Sequence, residues 1–130
     1  TATRAERDGK SMEYVMCALL HDIGDSLAPD NHEAVAAAII KPFVSEAHHW
    51  MVAHHGIFQG YYFFHHIGLD RNMRDQFRGH QWFERTAEFC EKYDQPSFDP
   101  EFDSMSLEDF APMVCRVLSA DRLMAKGPEA

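Results

Sequence analysis

His21 and Asp22 stand side by side at the end of an apolar run, Val15-Met16-Cys17-Ala18-Leu19-Leu20, and Ile23-Gly24 come next. An apolar helix that delivers an imidazole and a carboxylate into an interior requires both to be paired or bound to a cation, because an unpaired buried charge costs several kcal/mol. Imidazole nitrogen and carboxylate oxygen suit iron, manganese or zinc, and one carboxylate can bridge two such ions while histidines fill the outer positions. Taken alone, the dipeptide also fits a half-exposed helix C-terminus. More donors come downstream: His32 lies beside Glu33, and His54-His55 close a later segment. His48, His49, His65, His66 and His80 fit hydrogen-bonding or pocket-lining roles equally well.

Such donors converge only if several helices carry them, and the sequence reads as all-α. No alternating strand-like run or Asn-Gly hairpin dipeptide occurs, and Gly and Pro fall between periodic segments. A first helix covers Thr1–Arg7. Ser11 is placed to cap a second through Met12–His21, and Asp30 or Asn31 an alanine-rich third over His32–Ile40. Pro42 interrupts, and Ser45 starts a fourth that runs to about His55 and closes at Gly56. An aromatic helical segment covers Phe58–Ile67. Asp70 caps a basic stretch to Arg78, and a helix over Trp82–Tyr93 aligns Phe83, Ala87 and Cys90 on one face. Gln95–Met105 reads as loop. Ser106 with Asp109 opens a last helix bearing Phe110, Val114, Val117 and Leu118.

Composition bounds the function. A chain of 130 residues, 45% hydrophobic and 25% charged, is expected to form a single domain over residues 1–130 rather than a disordered segment. Its apolar runs fall far short of the roughly 20 residues that cross a bilayer, so a soluble, cytoplasmic protein with no membrane partner is expected. The formal charge of −9 argues against nucleic acid. Cys17, Cys90 and Cys115 are odd in number and widely spaced, and read as buried thiols.

Ala18-Leu19-Leu20-His21-Asp22-Ile23-Gly24, Asn31-His32-Glu33, Ala53-His54-His55-Gly56 and Lys92-Tyr93-Asp94 together resemble the HD-domain superfamily of metal-dependent enzymes. The order His-Asp, His, His, Asp carries the match over about residues 1–94. Within the superfamily the pattern most resembles the six-ligand dinuclear branch, which includes myo-inositol oxygenase and the oxygenases that cleave organophosphonates. The resemblance implies an HD-type helical bundle holding two iron ions, with manganese or zinc as alternatives. It makes His21 and Asp94 ligands of the first metal, Asp22 the bridging and catalytic carboxylate, and His32 with His54 or His55 the ligands of the second. Gly56 favours His55, since a small or substrate-contacting residue succeeds that ligand in the oxygenases. Asp121, in Ala120-Asp121-Arg122-Leu123, competes with Asp94. The family's remaining histidine lies about two dozen residues before the His-Asp pair. That position falls ahead of Thr1, so the chain reads as a bundle truncated at its N-terminus, poor at holding metal alone and prone to homo-oligomeric association. Asp25 stands where the inositol oxygenases carry lysine, which argues against an inositol-type substrate.

The activity implied is O2-dependent cleavage of a small hydroxylated molecule such as a 1-hydroxyphosphonate. A metal-dependent phosphohydrolase acting on a phosphate ester is the alternative, and an inactive HD-like binding domain the third reading. For substrate contacts the expectations are Gln59, Tyr61 and Tyr62, with Phe58 and Phe63 assigned to the core. Asp25 beside an aromatic wall would suit a quaternary ammonium group. Arg71, Arg74 and Arg78 recur as a basic stripe, which is either a solvated face or, through Arg71 first, a phosphonate clamp.

Overall fold

The computed structural model describes residues 1–119. Among them the chain is all-α: α1 (Ala2–Arg7), α2 (Met12–Leu20), α3 (His32–Ile40), α4 (Glu46–Gln59), α5 (Phe83–Glu88) and α6 (Leu107–Val117), joined by 3-10 turns and one π turn. The capping chemistry expected from the sequence operates at four of the helix and turn starts. Ser11 and Ser45 accept from the backbone N–H groups of Tyr14 and His48, Asp70 accepts from Asn72, and Ser106 with Asp109 forms a reciprocal capping box. Asn31 precedes α3 without a side-chain cap.

The core runs continuously from α1 to α6. Val15, Met16, Cys17 and Ala18 of α2 meet Met51, Val52 and Phe58 of α4 there, with Phe83, Phe89 and Tyr93 closing the third side. Burying each of these larger side chains stabilises the fold by about 1.5–3 kcal/mol. Ala36 and Ala37 leave α3 a slim face, which brings it close along α4.

Three expectations about helix extents are corrected. Gly56 does not end α4, which continues to Gln59, because the absent side chain there serves a close approach rather than a C-cap. Phe58–Ile67 is not one helix: beyond Gly60 the chain breaks into short 3-10 turns, with the Phe64 ring lying against the bare Gly60 Cα. Trp82–Tyr93 divides into α5 and a π turn over Phe89–Asp94. Pro96 comes directly after Gln95 and has no N–H to continue an α-helical ladder. Cys17 and Cys90 are buried as expected, whereas Cys115 is exposed. No helix among the described residues is long and apolar enough to cross a membrane.

Candidate metal centre

α2 ends at Leu20 and His21 caps it, followed directly by Asp22 in the turn; α3 opens with His32; the inner face of α4 presents His55; and the π turn ends in Asp94. A π turn inserts one residue into the helical count and rotates the residues beyond it, and such turns recur at functional sites. Asp94 is thereby brought to His21, with Oδ1 3.2 Å from His21 Nε2.

The five side chains meet around one carboxylate. Asp22 Oδ2 lies 3.1 Å from His21 Nε2, and Asp22 Oδ1 lies 3.1 Å from His32 Nε2 and 3.2 Å from His55 Nε2. His32 and His55 bring their Nε2 atoms within 3.3 Å of each other. Ligand atoms of His21, Asp22 and His55 all fall within 4.8 Å. His21 and His55 are buried, while the Asp22 side chain is 53% exposed and opens the cluster to a cleft.

Backbone carbonyls fix the tautomers. Nδ1–H of His21 donates to Ala18 O at 2.6 Å, that of His55 to Val52 O at 2.7 Å and that of His32 to Pro29 O at 3.2 Å. A carbonyl only accepts, so each Nδ1 carries the proton and each Nε2 turns a lone pair inward. Three lone pairs and two carboxylates then face one another, an arrangement of acceptors that only cations can hold together. Protons are one such cation and divalent metals the other. Burial by itself would lower the pKa of His21, but the carboxylates of Asp22 and Asp94 outweigh it and push it up to about 10. Asp22 is likewise opposed by desolvation, yet His21 and His55 hold it well below the usual carboxylate range. His21, Asp22 and His55 could together hold a metal ion, with one oxygen of Asp22 turned towards His21 and the other towards His32 and His55.

His54 is not brought to the cluster. Its ring stacks on Trp50 at 4.0 Å and its Nδ1–H donates to Trp50 O, one helical position round from His55. Asp121 lies outside the described residues.

The cleft beside Asp22 measures about 370 Å³. Asp25 and Gln59 line it as expected, Gln59 being tied to Gln95, while Glu33, Ile57, Phe63, Phe64 and Phe98 complete the wall. Tyr61, Tyr62 and Arg71 lie elsewhere. The turn after Gly60 carries Tyr61 under the guanidinium groups of Arg71 and Arg74, at 4.1 and 3.9 Å, and Arg71 Nε donates to Tyr61 O. Tyr62 packs on the core. The arginine stripe is a face of stacked and paired cations, with Arg78 on Asp75 at 3.0 Å, and it does not line the cleft. Phe58 is buried as expected, but Phe63 is a cleft residue rather than core.

Glu33 is a cleft residue to which the sequence pattern assigns no role. Its carboxylate packs against Gly56, where an added Cβ would come within 2.8 Å of both oxygens. Its adjacency to His32, just after Pro29-Asp30, is the one local signal that points to it. Gln95 and Phe98 lie close behind Asp94, in the stretch whose composition reads as loop.

Compared with protein-family models, with curated proteins and with solved structures, the chain matches none of them.

Proposed function

We propose that the chain is the core of a dinuclear non-haem iron oxygenase that oxidatively cleaves a small hydroxylated substrate. The observation that carries this reading is the convergence of three inward imidazole nitrogens on opposite oxygens of Asp22, with Asp94 on the far side of His21. Together with the resemblance of His21-Asp22, His32, His55 and Asp94 to the oxygenase branch, it favours two metals over one. The chemistry such a pair of irons supplies when bound is chelation of a substrate hydroxyl and activation of O2.

The protein's own residues do the rest. His21, Asp22 and Asp94 hold one side of the centre, and His32 and His55 the other. Val52, Ala18 and Pro29 carbonyls keep the imidazoles aimed. Phe63, Phe64, Phe98 and Ile57 give the cleft its apolar wall. Gln59, held by Gln95, offers a fixed polar contact. The described lining holds Asp25 and Glu33 besides the cluster and neither Lys nor Arg. An anionic end, such as a phosphonate, therefore belongs at the metals, and a cationic end belongs between Asp25, Glu33 and the phenylalanine faces.

Oxygen consumption tests the proposal. The chain reconstituted with iron is expected to consume O2 with a 1-hydroxyphosphonate bearing an ammonium group, and zinc, which has no redox chemistry, is expected to give no turnover. Phosphate release from phosphate esters under strict anaerobiosis with manganese or zinc would instead assign hydrolysis.

A further inference from the structure

A second buried polar cluster lies away from the cleft. Glu13 is 3% exposed in an otherwise apolar run of α2, and His48 is fully buried on the face of α4 that also carries His55, between Ala47, Met51 and Val52. Glu13 Oε1 accepts from the backbone N–H of Ser45, the residue that caps α4, and lies 3.4 Å from His48 Nδ1. On the far side of the imidazole, Arg85 Nη1 of α5 approaches His48 Nε2 at 3.3 Å. A carboxylate, an imidazole and a guanidinium thus run in line from α2 through α4 to α5.

The same three elements lead to metal-centre side chains: α2 runs up to His21, α4 carries His55, and α5 continues through the π turn to Asp94. Glu13, His48 and Arg85 precede His21, His55 and Asp94 by eight, seven and nine residues. At the helical rise that is roughly 10–14 Å along each axis. Apolar helix faces tolerate small slides past one another. A buried carboxylate and imidazole held to a half-buried guanidinium do not, because a slide takes the desolvated Glu13 and His48 off the groups that face them, and register is the best-attested use of such groups. Tyr14 joins the two clusters: its ring meets His48 edge-on at 5.6 Å and Tyr93, the neighbour of Asp94, at 5.8 Å.

We propose that Glu13, His48 and Arg85 are positioning residues that lock the register of α2, α4 and α5 and so set the separation of the two halves of the metal centre. The proposal rests on the reading of the His21–Asp22–His32–His55–Asp94 cluster as a dinuclear site. The three lie seven to nine residues back along the chain from His21, His55 and Asp94, and their effect on the cluster passes through the helices.

The test replaces the ionic line by apolar groups of similar size, Glu13→Leu, His48→Phe and Arg85→Met together. Such replacements often preserve or raise stability. The triple variant is expected to unfold at or above the parent's temperature while its Mn(II) affinity, by chelator competition, falls at least tenfold. The exchange-coupled electron paramagnetic resonance signal of the Mn(II) pair is expected to give way to that of isolated ions. A folded triple variant with parental affinity and parental coupling would overturn the proposal. Should the triple variant fail to fold, Glu13→Gln, which keeps the shape and removes the charge, is expected to weaken Mn(II) binding about threefold, and parental affinity in it would overturn the proposal equally. A metal-free readout separates this claim from the functional one: the imidazole 15N signals of His21 and His55 should move in the variants while those of exposed His65 and His66 stay. Whatever the parent's Mn(II) uptake, moved His21 and His55 signals would support the register lock and unmoved ones would overturn it.

Discussion

Asp22 does at the residue scale what two separate carboxylates would otherwise have to do, since each of its oxygens faces a different group of donors. In the metal-free chain protons occupy the same place, with opposite consequences for the two kinds of group. The pKa of His21 is raised to about 10 by Asp22 and Asp94 against its burial, so its contribution is complete below the unfolded value near 6.5 and is lost as pH rises through 10. The lowered pKa of Asp22 gives a contribution present above its ordinary value of 3.8 and lost as pH falls below it. The metal-free protein is therefore expected to be most stable between roughly pH 4 and 6.5 as far as this pair decides. A metal held there as proposed would have to displace the His21 proton, so affinity is expected to rise from pH 6 towards pH 8. Thermal unfolding across this range, with and without chelator, checks both: a metal-induced shift that shrinks as pH rises would contradict the assignment.

Elements position these residues through two glycines that act differently. At Gly24 a Cβ would meet Val35 Cβ at 2.8 Å and the His32 carbonyl at 3.2 Å, atoms of a branched stem and a backbone that do not swing aside. Gly24→Ala is expected to cost about 1–3 kcal/mol by overpacking and to push α3, with His32, off the His21-Asp22 turn. At Gly56 the obstacle is only the flexible end of Glu33, and the position lies inside α4, where alanine is favoured by up to about 1 kcal/mol. Gly56→Ala is expected to keep or raise the unfolding temperature while displacing Glu33 and weakening substrate binding. Urea unfolding of the two variants decides, and equal destabilisation would contradict this account. The helices and their serine caps were legible because hydroxyls and apolar periodicity act locally. His21-Asp22 was legible because the two residues are adjacent behind an apolar run. The choice of His55 over His54 depended on a rotation of one helical position. The π turn that aims Asp94, the break after Gly60 that sends Tyr61 and Tyr62 from the cleft, and the Glu13–His48–Arg85 line depend on contacts between distant parts of the chain. The one local trace of that line was a glutamate set in the buried run of α2.

Across the whole molecule the charge is −9, and the cleft concentrates carboxylates: Asp22, Asp25, Glu33 and Asp94 line it together. Carboxylates gathered in one cleft repel one another, and a bound cation relieves that repulsion. The central claim is that the fold holds metal on the two oxygens of Asp22. Metal content after loading with Fe(II) and gel filtration, compared among the parent, Asp22→Asn and His54→Ala with folding verified by circular dichroism, tests it most directly. The parent and His54→Ala are expected to retain iron to the same extent and Asp22→Asn to retain close to none; iron retained by Asp22→Asn at the parental level would contradict the claim.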